Sequence, residues 1–229
     1  MKIAVIGTGN VGTQFARIFG VVPISPRTLN GLPDDADLYI IAVSDAAVKE
    51  VAEKLPETTG VVAHTTGSVP MDALNSVKCK GFGVIYPFQT ISKKRQLPPE
   101  KIPLLLEASD PKTLDIIKAA ATEAGFSNIE FADSEKRRRV HLTGTFACNF
   151  TNAMIAVSQK ILSQSGISQS IIQPLVEETI EKLKDLPAKD AQTGPAARKD
   201  IPTLNSHLKL LNELDLTKEA DIYKVISDY

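Results

Sequence analysis

A mostly parallel α/β sheet followed by an all-α region is the architecture this sequence predicts. Three observations predict it. Short β-branched runs alternate with amphipathic stretches through about the first 130 residues. The strand signals stop near Asp133, and long helical patterns take over. A glycine loop joins the first apolar run to the first amphipathic stretch.

The runs 3–6, 21–24, 38–43, 60–63, 82–85, 103–106 and 129–131 read as strands, bounded by Gly, Pro, Asp or Asn. Between several of them, 11–19, 46–55 and 111–124 carry helical periodicity. Near-continuous apolar strands alternating with helices indicate a parallel sheet covered on both faces. Beyond it, a long helix is expected over 134–165, ending before Gly166. A second spans 169–186 and stops at Pro187. After a loop containing Gly194 and Pro195, shorter helices follow at 201–214 and 218–227. Two domains are therefore expected, an α/β domain over 1–132 and a helical one over 133–229.

Composition narrows the function. A chain of 229 residues can bury a sizeable core without disulfides or metals. Its 43% apolar and 23% charged content is that of an ordinary globular protein. Twenty-six basic and 27 acidic side chains leave a formal charge of -1, so no global field draws in nucleic acid or an anionic membrane. Cys79 and Cys148 are too few for a disulfide framework and lack metal-ligand spacing. No apolar run approaches the roughly 18 residues of a membrane span. Lys2 leads directly into Ile3-Ala4-Val5-Ile6-Gly7, so no signal peptide is expected, and a cytoplasmic location is.

Gly7-Thr8-Gly9-Asn10-Val11-Gly12 is a G-x-G-x-x-G that follows a strand and opens a helix, the context of a Rossmann-type dinucleotide site. Gly7 makes the tight turn, Gly9 admits the backbone to a pyrophosphate, and Gly12 lets helix and strand pack closely. N–H groups at the helix start then face the phosphates. An NAD-preferring site places a carboxylate about 20 residues on. Here that stretch reads Val22-Pro23-Ile24-Ser25-Pro26-Arg27, with no acid. Ser25 and Arg27 suit a 2′-phosphate instead, which favours NADP (NADPH); the plainer alternative makes Arg27 a solvated turn residue. Only nine residues, 28–36, separate this turn from the strand at Leu38, too few for the usual helix and third strand. The sheet is expected to be trimmed there and its adenine side more open.

Other motifs lie at strand ends, where such sheets bind ligands. Ser44 and Asp45 follow one strand, and either can instead cap the next helix. His64-Thr65-Thr66-Gly67-Ser68 offers donors, acceptors and a group that titrates near neutrality; a histidine satisfied by loop backbone is the equal alternative. In the long helix, His141, Cys148 and Asn152 fall within about 40° of one another at 100° per residue. Thr145 lies alongside and Asn149 at the margin. A polar stripe on a helix suited to burial needs partners, supplied by a substrate pocket or a polar domain interface. Lys136-Arg137-Arg138-Arg139 opposes the dipole of the helix it opens; it faces a cofactor phosphate, an acidic substrate or only water.

The glycine loop, the segments 37–45, 64–68 and 86–90, the helix from His141 to Asn152, and Gln192-Thr193-Gly194-Pro195 with Arg198 and Asp200 together carry a likeness. On them the chain resembles the bacterial Rossmann-like proteins with a C-terminal helical domain of unknown function. These fall in the 6-phosphogluconate dehydrogenase-like and pyrroline-5-carboxylate reductase-like superfamily. The resemblance implies an NADP-linked oxidoreductase that moves a hydride to or from a C=O or C=N carbon of a small carboxylate-bearing metabolite. It also implies a homodimer through the helical domain. Val43 and Ser44 would lie along the cofactor, and His64 beside nicotinamide and substrate.

Tyr86-Pro87-Phe88-Gln89-Thr90 looks like the His-Pro turn of prephenate dehydrogenases with Tyr86 in place of the histidine. β-Hydroxyacid dehydrogenases carry a catalytic Lys one turn before an Asn; Asn149 matches the Asn, but the earlier position is Thr145. His141 then becomes the candidate acid/base, with Asn149 and Asn152 positioning. Ser68, Tyr86, Gln89 and Arg198 become candidate substrate contacts, Arg198 for a carboxylate. The missing Lys equally fits a catalytically inactive nucleotide-binding regulator. Superfamily analogy alone adds a deazaflavin as a possible hydride partner.

Overall fold

The computed structural model describes residues 1–229. Six strands form one sheet in the order β1-β2-β3-β4-β5-β6. They are β1 (Ile3–Ile6), β2 (Leu38–Ile41), β3 (Val61–His64), β4 (Gly81–Pro87), β5 (Leu104–Ala108) and β6 (Ile129–Phe131). β1 to β4 run parallel, in registers that pair Ile3 with Leu38, Leu38 with Val61, and Val61 with Gly81. β5 turns antiparallel to β4, and β6 runs parallel to β5. This is the mostly parallel, Rossmann-type sheet that the apolar runs predict.

Every residue of β2 and β3 is buried, because helices cover both faces of the sheet. The period of two divides their side chains between two cores. Leu38, Ile40, Val61 and Ala63 pack with Phe15 of α1 (Asn10–Phe19) and Ile117 of α3 (Pro111–Glu123). Tyr39, Ile41 and Val62 pack with Val48 and Val51 of α2 (Val48–Lys54). The segment 45–47 enters α2 as a tight 3-10 turn, where one continuous helix over 46–55 was expected.

The expected strand at 21–24 shrinks to a single parallel bridge between Ile6 and Ile24. Ile24 N–H donates to the Val5 carbonyl at 2.8 Å, and its carbonyl accepts from Gly7 at 2.9 Å. Pro23 and Pro26 supply no N–H with which to extend that ladder. Residues 28–36 form turns only. The buried Tyr39 hydroxyl pins them, donating to the Pro33 carbonyl at 2.8 Å and accepting from Ala36 N–H at 3.2 Å. The sheet is trimmed on this side, as the short spacing requires.

The expected helix over 134–165 is interrupted. It forms α4 (Ser134–Gly144), a π-helical turn (Thr145–Phe150) and α5 (Thr151–Ser163). The chain divides into two compact units, Met1–Phe150 and Thr151–Tyr229, so α4 belongs with the sheet and the division falls later than the change of pattern at 133. The reason is Arg137. This fully buried side chain, from the middle of the basic run, pairs with Glu107 of β5 and donates to the Val69 carbonyl at 2.6 Å. Its expected role toward a phosphate, an acidic substrate or solvent is thereby replaced by a structural one. Only Arg138 and Arg139 pair at the surface, both with Glu135.

The second unit contains α5, α6 (Gln173–Lys182), α7 (Ala188–Ala191), α8 (Ile201–Glu213) and α9 (Thr217–Asp228). Its buried core is small, Leu211, Leu216 and Ala220, with Ile161, Leu208 and Tyr223 packed against them. Leu175, Ile180 and Val225 are exposed. No helix is long and apolar enough to cross a membrane.

Breaking the buried pair strands a charge in a low-dielectric site, so Arg137→Met should lower stability by about 3–5 kcal/mol in urea unfolding. The double change Glu107→Met with Arg137→Met should recover most of that loss. A single-variant cost below about 1 kcal/mol would show that the pair does not fasten α4.

Candidate functional site

The glycine loop leaves β1 and enters α1 with Gly7 at φ 138°, a backbone region that side chains disfavour. A Cβ on Gly12 would collide with the Gly7 carbonyl, so both glycines serve close packing. Gly9 differs: nothing stands where its Cβ would be. As the N-cap of α1 it supplies no side chain to the first-turn N–H groups, and no acidic residue occupies that turn. These donors are left for a ligand. They open on a cleft of about 590 Å³ lined by Gly7, Thr8, Gly9, Asn10, Val11, Arg27, Val43 and Ser44, among others. Ser25 is not part of its wall; its hydroxyl accepts from Arg27 N–H at 3.4 Å and shapes the turn.

The opposite wall is α2 with its entry turn. Ala47, Glu50, Val51 and Lys54 line the cleft at positions i, i+3, i+4 and i+7, one face of a helix. Lys54 Nζ lies 2.5 Å from Glu50 Oε1 and holds that carboxyl below its usual range. Sequence reading passed over these two side chains. Their i, i+4 spacing was visible, but the surface they face is set by the packing of the helix.

A second cavity of about 270 Å³ lies at the end of β4. Tyr86, Phe88, Gln89 and Thr90 meet His141, Thr145, Cys148 and Asn149 there. Four residues of the expected polar stripe and its margin thus line one pocket. Asn152 does not; the π-helical turn changes the phase of the helix before it, and Asn152 lies exposed in the second unit.

The Tyr86 hydroxyl stands 3.0 Å from His141 Nδ1, with the rings edge to face. Burial, helped by the charge of Asp45 and opposed by Arg137, pushes the Tyr86 phenol up to about 12. Gly67 makes the pairing possible: a Cβ there would stand 2.5 Å from His141 Nδ1 and 2.9 Å from the Tyr86 ring. Gly144 does the same for Phe88, whose ring a Cβ would approach to 2.9 Å. The Gln89 amide is engaged internally, by the Lys101 carbonyl at 2.9 Å and Thr90 N–H at 2.8 Å.

Between the two cavities, Ser68 donates to the Asp45 carboxylate and joins the loops after β2 and β3. His64 is not a surface group of this site. It is completely buried, and its Nδ1 accepts from Thr66 N–H at 3.2 Å. Burial first, then the charge of Arg137, lowers it to about 4, against smaller opposing effects of the Pro70 carbonyl and Asp45. Its Nε2 has no hydrogen-bond partner. The satisfied-by-loop alternative therefore describes half of this ring, and a group titrating near neutrality does not describe it.

Arg198 lies exposed in the second unit, in the turn before α8. Asp200 caps that helix, accepting from Thr203 N–H at 3.2 Å and from its hydroxyl at 2.8 Å.

The family model described as a domain of unknown function, DUF2520, matches residues 102–229. No curated protein matches the sequence. Among solved structures, a candidate NADP oxidoreductase (BF3122) from Bacteroides fragilis is 31% identical, covers 99% of this chain and 96% of its own, and superposes with a TM-score of 0.86. The protein TM1727 of Thermotoga maritima is 20% identical over 99% of this chain and 98% of its own, with a TM-score of 0.70. A Plasmodium falciparum pyrroline carboxylate reductase with NADP bound is 11% identical over 99% and 98%, with a TM-score of 0.61. The last two likenesses are of fold.

His64 makes stability depend on pH. In the unfolded chain a histidine titrates near 6.5, and in the fold His64 titrates near 4. Between these values only the unfolded state binds the proton. Its contribution is complete above about pH 6.5 and declines as the pH falls toward 4, by about 3 kcal/mol in total. Urea unfolding across this window should show a shallower pH slope for His64→Gln than for the wild type. Equal slopes would assign the dependence to other groups.

Proposed function

We propose that this chain, which belongs to the DUF2520 family, is an NADP-dependent oxidoreductase that moves a hydride to or from the C=O or C=N carbon of a small, carboxylate-bearing metabolite. The observation that carries this reading is the continuity of the strand-end site. The glycine-loop cleft reaches Ser44, Asp45 bonds to Ser68, and Gly67 contacts the Tyr86–His141 pair that lines the second cavity. The likeness to the Bacteroides fragilis protein, at 31% identity, supports the same class.

The residues present fit a dinucleotide. The open space at Gly9 and the uncapped first turn of α1 form the cradle for its phosphates, and Arg27 lines the same cleft without an ion pair of its own. When bound, the nicotinamide supplies or accepts the hydride. The protein's share is proton handling. The Tyr86 hydroxyl, kept protonated, is assigned as the acceptor from His141 Nδ1–H, the tautomer that leaves Nε2 to exchange a proton with the substrate. On reduction the imidazolium gives its Nε2 proton to the substrate oxygen or nitrogen and becomes neutral; on oxidation the neutral ring, protonated at Nδ1, takes the proton at Nε2. Asn149 and Thr145 add hydrogen-bonding groups to the pocket wall. The carboxylate assigned to the substrate rests on the family resemblance. Homodimer formation is part of the proposal, since Leu175, Ile180 and Val225 leave apolar surface uncovered.

Thr145, in the pocket where a dehydrogenase lysine is expected, favours the second reading of a nucleotide-binding regulator without catalysis. Two measurements decide. In the first, NADPH titrated by nicotinamide fluorescence should bind the wild type, and Arg27→Ala should weaken it about tenfold. Failure of NADPH to bind at millimolar concentration would end the oxidoreductase reading. In the second, 2-oxo acids and cyclic imines are screened with deuterium-labelled NADPH. Label transfer should appear in the wild type and fall about a hundredfold in His141→Ala. Full turnover by His141→Ala would remove that residue from the chemistry, and tight NADPH binding with no transfer to any member of the panel would favour the regulator.

A further inference from the structure

We infer that Lys54 is the second cation of a 2′-phosphate subsite shared with Arg27, and that Glu50 is a built-in competitor that restrains it. The inference rests on the dinucleotide reading of the cleft and assigns specificity within it.

A complete sheet of this type would continue past the bridge at Ile24 with another strand and helix, and the end of its second strand would hold the ribose. Here residues 28–36 are turns, and the stretch 22–27 contains no carboxylate. The cleft is bounded on one side by Pro26 and Arg27 and on the other by the 47, 50, 51, 54 face of α2. Val51 is buried and forms the floor of that face, while Glu50 and Lys54 stand at its rim with side chains 66% and 49% exposed. Three charged side chains therefore line the cleft: Arg27, Lys54 and Glu50.

Their signs select among ligands. A phosphomonoester carries about -1.5 to -2 charges near neutrality, so it calls for two cations rather than one. Arg27 and Lys54 supply two, and Glu50 reduces the sum to a net +1. Glu50 Oε1 faces Lys54 at 2.5 Å, which leaves Oε2 as the oxygen open to a ribose 2′-hydroxyl. A solvent-exposed i, i+4 pair is worth little, so Lys54 exchanges the carboxylate for a phosphate at small cost. Glu50 thus sets how much a 2′-phosphate gains over a bare ribose.

The test is equilibrium binding, with NADPH and NADH as one pair of probes and 2′-phospho-AMP and AMP as the other. Fluorescence reads the first pair and calorimetry the second, on the wild type, Lys54→Met and Glu50→Gln. Lys54→Met should weaken NADPH and 2′-phospho-AMP about tenfold and leave NADH and AMP within about twofold. Glu50→Gln removes a like charge from the wall of the same cleft and should tighten the phosphorylated ligands about threefold. The double variant should lose that gain. Equal weakening of both members of a pair by Lys54→Met, or no weakening of either, overturns the inference. Selective loss of NADH in Glu50→Gln also overturns it, because Glu50 would then be the ribose acceptor. If the wild type binds NADPH, Arg27→Ala weakens it and Lys54→Met is silent, this inference falls and the dinucleotide reading stands. If the wild type binds neither nucleotide, both fall.

Discussion

A guanidinium enclosed without access to water is the constraint around which the first unit is arranged. Isolated, the charge of Arg137 would cost several kcal/mol to bury. It is tolerated because β5 brings Glu107 to it, because the Val69 carbonyl accepts a second bond, and because Ser134 bridges the pair, accepting from Arg137 at 3.2 Å and donating to Glu107 at 2.9 Å. Met71 N–H joins the set by donating to Ser134 at 3.1 Å, while Arg137 Nε is left without a partner. These contacts reach from α4 to β5 and to the loop after β3, so one buried charge fixes three segments. His141 follows Arg137 by four residues on the same helix and inherits its placement. The charge also acts at a distance, helping to hold His64 neutral while opposing the upward displacement of the Tyr86 phenol.

The strand ends then divide their work. Hydrogen bonds and close packing fix the loops: Asp45 to Ser68, Thr66 to His64, Gly67 against His141 and Tyr86. Such contacts leave few rotamers to the groups that face the cavities, which is the physical basis of preorganisation. His64 belongs to this supporting layer. Its burial makes it a poor proton donor near neutrality and a sensitive reporter of packing behind the site.

How much of this was legible in the sequence follows from the range of the interactions involved. The glycine loop was readable because its signal is local: a strand, three glycines at fixed spacing and a helix. The trimmed edge was readable as a chain-length argument, since nine residues cannot hold a helix and a strand. The pocket wall of His141, Thr145, Cys148 and Asn149 was readable from helical phase over two turns, and the same extrapolation failed at Asn152 because a π-helical turn carries no apolar signature. The basic run shows the limit most clearly. Nothing local separates Arg137 from Arg138 or Arg139; only Glu107, a lone carboxylate in the run Leu104-Leu105-Leu106-Glu107-Ala108, hinted that one cation would be drawn inside. At 21–24 the β-branched residues signal a strand, whereas in the fold the missing N–H groups of Pro23 and of Pro26 just beyond it decide.

The trimmed edge and the buried charge bear on the proposed chemistry in opposite ways. Loss of a strand and helix removes apolar surface that would flank an adenine, so on the proposed reading affinity shifts toward phosphate contacts. Backbone donors at the start of α1 are fixed by the helix and lie inside the cleft. Arg27, Lys54 and Glu50 stand on longer, more exposed side chains, where salt screens charge over about 10 Å at 0.1 M. Discrimination between phosphorylated and bare ribose should therefore fade with ionic strength faster than binding itself. The Tyr86–His141 pair, held by close packing against Gly67, has no comparable exposure to salt. On the proposed reading such a site separates recognition from proton handling: exposed charges choose the ligand, and a helix fastened by a buried ion pair holds the imidazole.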